Sequence, residues 1–138
     1  MTAEETRTFL LEGTRTGKLA TVRRDGRPHV APIWFVLDGD DVVFNTGKDS
    51  LKGKALERDR RAALLVDDER PPFAYVLVEG TCSISENLDE MLEWATRIGG
   101  RYMGVGNADA FGRRNAVPGE LLVRIHPTKV ISRAEIAS

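Results

Sequence analysis

Four side chains in one short stretch could hold an anion. Lys48, Ser50, Lys52 and Lys54 lie within Asn45 to Arg61, which reads N-T-G-K-D-S-L-K-G-K-A-L-E-R-D-R-R. Ser50 is placed to cap a helix, because its oxygen can accept a first-turn backbone N–H. Gly47 allows a tight turn ahead of it. The lysines bring positive charge to a helix end that already has unpaired N–H groups and the positive pole of the helix dipole. Cations at that end run against dipole preference unless something negative sits among them. A phosphate answers that description. The other reading of the same residues is a solvated, lysine-rich turn.

The elements around this loop are legible. Val42-Val43-Phe44 before it and Ala62 to Val66 after it are apolar runs, so the order is strand, loop, short helix, strand. Thr2 and Glu5 have capping-box spacing, which predicts a helix over Ala3 to Glu12, ended by Gly13. Lys18 to Arg23 and Pro28 to Leu37 read as strands joined at Asp25-Gly26. Both faces of Pro28 to Leu37 are largely apolar, so both should be covered. Pro32 cannot donate to a ladder and needs an edge, a bulge or interrupted pairing. Ala74 to Ile84 is a long strand with a bulge or bend expected at Gly80. Glu86 to Arg101 has helical spacing, frayed or stopped at Gly99-Gly100. Met103 to Gly119 is glycine-rich and reads as a loop. Leu121 to Ile125 is a last core strand ended by Pro127, with Lys129 to Arg133 a possible extension. Six strands in meanders and three helices argue for a mainly β, antiparallel barrel with peripheral helices.

Most other chemistry is absent. His29 and His126 fall in different strands with no cysteine or carboxylate at ligand spacing, so no metal site is expected. Both read most simply as strand residues. Cys82 sits mid-strand with no adjacent base and reads as core. There is no nucleophile elbow, no Walker loop and no dinucleotide fingerprint following a strand. Glu57 to Arg61 reads as a solvated helix end. Arg101, Arg113 and Arg114 are candidates to grip an anionic ligand tail. Trp34 could pack on a flat ring or be an ordinary core or interface tryptophan. No catalytic residue is assigned. An anion site beside an apolar strand, without acid–base machinery, suits a protein that holds a phosphate-bearing planar cofactor and lets it react.

Composition is consistent with that. With 138 residues the chain reads as one domain spanning 1–138, able to bury roughly two thirds of its unfolded surface. It is 41% hydrophobic and 30% charged, as globular proteins are. A net charge of −1 argues against a nucleic-acid partner. One cysteine and no leader-like N-terminus predict a reducing, cytoplasmic setting with no membrane association.

Three segments together carry a resemblance: L-A-T-V-R-R-D-G-R-P-H-V-A-P-I-W-F, F-N-T-G-K-D-S-L-K-G-K-A-L-E-R-D-R-R-A-A-L-L-V-D-D and Y-V-L-V-E-G-T. They resemble the flavin and deazaflavin oxidoreductases of the pyridoxamine 5′-phosphate oxidase-like split-barrel superfamily, most closely its coenzyme F420-dependent branch. The resemblance is strong over Leu19 to Thr81 and looser beyond. It implies a six-stranded split barrel (the FMN-binding split barrel), paired as a homodimer with two sites at the seam. It implies cofactor binding by Asn45, Thr46, Gly47, Lys48, Ser50 and Lys52, with Ser50 and Lys52 on the phosphate. Pro32, Ile33 and Trp34 would lie along the ring, and Tyr75 and the other subunit would finish the pocket. The implied activity is hydride transfer from reduced F420 to a small organic acceptor. FMN is the alternative cofactor, and a non-enzymatic F420 or tetrapyrrole carrier the alternative role. FMN-using members often carry Arg and Lys in and after the second strand, where this chain is apolar. The C-terminal arginine and tryptophan signature of true pyridoxamine phosphate oxidases is missing from Leu121 to Ser138.

Overall fold

The computed structural model describes all residues 1–138. In chain order the elements are α1 (Ala3–Leu11), β1 (Gly17–Val22), β2 (Pro28–Ile33), β3 (Val36–Asp38), β4 (Asp41–Gly47) and α2 (Leu51–Arg58). They continue with β5 (Arg61–Asp68), β6 (Ala74–Ser85), α3 (Leu88–Met103), α4 (Ala108–Asn115) and β7 (Glu120–Arg133). The strands form one antiparallel sheet in the order β2-β1-β5-β6-β7-β4-β3.

That order forces the sheet to curl. β2 and β3 are its opposite edges, yet only Trp34 and Phe35 separate them in sequence. Two residues let Ile33 and Val36 stand at most about 11 Å apart. The edges of a flat seven-stranded sheet would be about 29 Å apart. The sheet therefore wraps until its edges nearly meet, joined by chain rather than by a ladder. This is a split barrel.

The same link corrects the strand count. The predicted strand Pro28 to Leu37 breaks at Trp34-Phe35, giving seven strands where six were expected. Phe35 is fully buried, and its backbone groups lack a strand partner. Side chains of α3 satisfy them instead. The Tyr102 hydroxyl lies 3.3 Å from the Phe35 N–H, and Arg101 Nη1 donates to the Phe35 carbonyl at 2.6 Å.

The barrel is filled by inward residues of neighbouring strands, among them Leu19, Phe44, Leu64, Val76 and Ile125, together with Phe35 of the link. Leu56 of α2 joins this core. A second cluster lies outside the barrel, where α3 sets Met91, Trp94 and Ile98 on Val36, Val43 and Leu122. With the core on one face and α3 on the other, β4 buries Val42, Val43 and Phe44 consecutively. Pro32 sits on an edge strand, as its missing N–H requires. The outer face of β2 is not covered within the chain: Val30 is 63% exposed.

Two further expectations are corrected. The segment Met103 to Gly119 is not a loop, since it holds a short 3₁₀ turn and α4. Nor does α3 stop at Gly99-Gly100; it runs on to Met103. Those glycines mark where α4 packs. A Cβ on Gly99 would fall 2.6 Å from the Phe111 Cβ, and one on Gly112 would collide with Thr96. Likewise β7 continues through Pro127, accommodated by the bulge at Gly80 that the sequence predicted.

Candidate functional site

The predicted lysine loop is built as expected, and its Ser50 hydroxyl is fully engaged. Ser50 caps α2, accepting the Gly53 N–H at 3.1 Å. It also donates to the Gly47 carbonyl at 2.7 Å and meets the Thr46 hydroxyl at 3.0 Å. Three partners exhaust a hydroxyl's one donor and two acceptor positions. Ser50 and the buried Thr46 thus hold the loop in shape. Gly53 is required by this fold, because a Cβ there would strike the Gly47 carbonyl.

The lysines diverge. Lys48 turns to Glu86 at 3.3 Å, which raises its pKa above the usual lysine value, first by the hydrogen bond and then by the carboxylate's charge. Lys52 faces a cleft of about 240 Å³. The cleft lies between the outer face of β4 and β7 and the α3–α4 pair. Pro32, Ile33 and Trp34 form one wall, Ile98 and Phe111 another. Asn45, Asn115 and Glu120 join Lys52 as its polar members. Burial pushes the Glu120 carboxyl above its ordinary pKa, partly offset by the charge of Lys52.

Of the ten residues expected to bind a cofactor, five meet in this cleft: Pro32, Ile33, Trp34, Asn45 and Lys52. Thr46, Gly47 and Ser50 frame it from the loop behind. Tyr75 stands on β6 opposite Asp67 and Arg133, and it lines no part of the cleft.

Two details give the cleft its character. The Trp34 ring stacks on Tyr102, centroids 4.9 Å apart and planes 3° from parallel, with Phe111 tilted beside it at 5.7 Å. Asn45 is the second. Its amide nitrogen and amide oxygen are both buried with no hydrogen-bond partner. A buried amide left without partners costs free energy, on the order of 1–3 kcal/mol per group.

Sequence reasoning missed Ile98, Phe111, Asn115 and Glu120. The signal for α4 was there, since Ala108, Phe111, Gly112 and Asn115 recur at helical spacing, but four glycines between Met103 and Glu120 masked it. Arg101 was misread as a candidate for an anionic tail. It is committed to backbone carbonyls of Leu10, Gly13 and Phe35. A larger cavity of about 410 Å³ lies under α1, but its charged groups, Arg7 and Asp40, are already paired at 2.8 Å. Asn45, with both amide atoms unpartnered, lines the smaller cleft, and we place the candidate site there. No cluster of three potential metal ligands occurs in the chain.

The family profile described as pyridoxamine 5′-phosphate oxidase matches residues 2–134. The chain belongs to that family. Among solved structures, this family member is similar to a conserved hypothetical protein of Mycobacterium tuberculosis, with a TM-score of 0.86 and 25% identity over 98% of this chain and 86% of the other. It is also similar to a protein described as an F420 reductase, with a TM-score of 0.72 and 26% identity over 90% and 94% of the two chains. A heme storage protein of Vibrio cholerae shares the fold, with a TM-score of 0.73 at 18% identity over 94% and 92%. The split barrel is therefore common ground for this family member and its relatives. No helix in it is long and apolar enough to cross a membrane.

Proposed function

We propose that the protein is an F420H2-dependent reductase, passing a hydride from reduced deazaflavin to a small organic acceptor. One observation carries the choice of cofactor class: the unpartnered amide of Asn45 at the base of a cleft with an aromatic and apolar wall. An amide with both atoms free is matched by a planar group presenting a donor and an acceptor side by side. The imide edge of a flavin or deazaflavin ring does this. A porphyrin edge does not, which weighs against the heme-carrier reading.

The remaining residues suit that cofactor. Lys52 would take its phosphate as a charge-assisted contact. Pro32, Ile33 and Trp34 would lie along its ring and exclude water. When bound, reduced deazaflavin supplies the hydride; the chain supplies position and desolvation. The choice of F420 over FMN draws on the apolar second strand and on the resemblance to the F420 reductase. The homodimer draws on β2, where Val30 is bare on the outer face of an edge strand. A second copy would cover that face and could bring its Tyr75 to the site.

The test is titration of the purified protein with F420, FMN and heme, followed by tryptophan fluorescence. F420 should bind tightest and quench Trp34, and F420H2 absorbance should then decay with an enone or quinone. Tighter binding of heme, or binding of F420 unaffected by Asn45→Leu, would overturn the reading.

A further inference from the structure

A second group of reactive side chains lies on the outer barrel wall, away from the cleft. Ser83, His126 and Asp41 come from the adjacent strands β6, β7 and β4. Ser83 Oγ is 2.8 Å from His126 Nε2, and His126 Nδ1 is 3.1 Å from Asp41 Oδ2. We infer that Ser83 is an activated nucleophile that takes acyl groups from small activated esters, with His126 as its base and Asp41 orienting the imidazole.

The ladders explain why the three meet. β6 pairs Thr81 with His126, so Ser83 is the diagonal neighbour on the same face. β4 pairs Val42 with Ile125, which sets Asp41 beside His126 from the other side. The bulge at Gly80 brings the β7 backbone close, and a Cβ on Gly80 would collide with the His126 carbonyl. Bulges of this kind re-aim side chains. Paired strands on both sides of β7 hold the arrangement without help from a loop.

The Asp41 carboxylate 3.1 Å from Nδ1 favours the tautomer with its proton there, which leaves Nε2 to accept the Ser83 hydroxyl. This is the nucleophile–base–orienter order that activates serine in hydrolases. Ser83 is exposed, and the His126 side chain is 46% exposed, so a small ester can reach them. The neighbouring Cys82 does not compete: it is buried, and burial pushes its thiol up to about 12.

The step balances without a redox partner. Ser83 Oγ bonds to the acyl carbon while its proton moves to His126 Nε2. The bond from carbon to the leaving oxygen breaks, and that oxygen takes the proton from His126. Water then attacks the acyl group, gives its proton to His126, and releases the acid as Ser83 regains a hydrogen. Arg124 is the cross-strand partner of Ser83, but Asp38 and Glu90 already bind it at 2.6 and 3.2 Å. With so little help for a developing oxyanion, the leaving group must be good, as in an aryl ester.

The full chain should be treated with p-nitrophenyl acetate, following nitrophenolate release and mapping adducts by peptide mass spectrometry. An acetyl group on Ser83 is expected. His126→Gln should slow its formation about a hundredfold, and Asp41→Asn should slow it by a smaller factor. Thr81→Ala, an exposed neighbour, should leave it unchanged. Acetylation confined to lysines would overturn the inference, as would a Ser83 adduct that forms equally fast in His126→Gln. The cleft plays no part in this reaction, so F420 binding should be the same in all four proteins.

Discussion

The Trp34 indole lies flat on the Tyr102 ring, with planes 3° apart, while the Tyr102 hydroxyl reaches past it to Arg15 and Phe35. One tyrosine thereby braces the wall of the cleft with its face and the seam of the barrel with its edge. Its hydroxyl donates to the Arg15 carbonyl at 2.8 Å and lies against the Phe35 N–H. Burial raises its pKa, so it stays neutral and able to donate. Tyr102→Phe keeps the stack and strands a buried N–H and a carbonyl. We expect a loss of about 1–3 kcal/mol in urea unfolding, with Trp34 emission from the native state little changed.

The two lysines nearest the loop should separate cleanly. Lys52→Ala is expected to weaken cofactor binding by about 1–3 kcal/mol, the size of a charge-assisted hydrogen bond. Lys48→Ala should do much less, because that amine is turned to Glu86. Fluorescence titration of both variants side by side decides it. Equal losses would mean that Lys48 swings into the site.

Ser50→Ala should report on folding first. The hydroxyl caps α2 and ties the Gly47 carbonyl. A loss of about 1 kcal/mol in stability is expected, with any loss of affinity following from a loosened loop. Wild-type stability combined with lost binding would instead put the hydroxyl on the ligand.

Glu120 shares the cleft with Lys52, and its pKa is raised by burial. A raised carboxyl is protonated to a higher pH than usual, and once ionised it repels an anion. Anion affinity should therefore fall as pH rises through its titration. Glu120→Gln should bind the cofactor more tightly at neutral pH and lose most of that dependence. Isothermal titration between pH 5 and pH 8, a range set by typical carboxyl and phosphate pKa values, would show it.

Acid stability has a separate origin. Asp59 and Asp68 are held at about 2 rather than 3.8, first by hydrogen bonds from the Arg61 and Arg70 side chains. A depressed carboxyl stabilises the fold above its unfolded pKa and loses that contribution as pH falls through the folded value. The loss should fall between about pH 4 and pH 2. Asp68→Asn, which also meets Arg15 at 3.2 Å, should flatten the thermal-melt midpoint across that window.

Local chemistry made much of this legible from sequence. The Thr2–Glu5 box, the Asp25-Gly26 turn, the Ser50 cap and the Gly80 bulge each depend on residues close in the chain, and each stands where its residue types put it. The break at Trp34-Phe35 was only half legible: Pro32 called for an edge or an interrupted pairing, but neither Trp34 nor Phe35 is a breaker. The contacts that replace its ladder come from Arg101 and Tyr102, more than sixty positions away. α4 was hidden for a related reason. Gly112 read as punctuation, while in the structure it packs on Thr96 of α3, as Gly99 of α3 packs on Phe111. In the site, the lysine loop was visible and Asn45 could be named, but its orphaned amide appears only once α3 and α4 close over β4.

The Arg101 guanidinium touches three separate stretches of backbone: the end of α1 at Leu10, the turn at Gly13 and the seam at Phe35. It behaves as a rivet through overlapping plates. Whatever presses on the indole next to that seam is transmitted through the rivet to the end of the first helix. Occupancy of the cleft should thus be readable remotely, as slowed amide exchange at Leu10 to Gly13, where no ligand atom ever arrives.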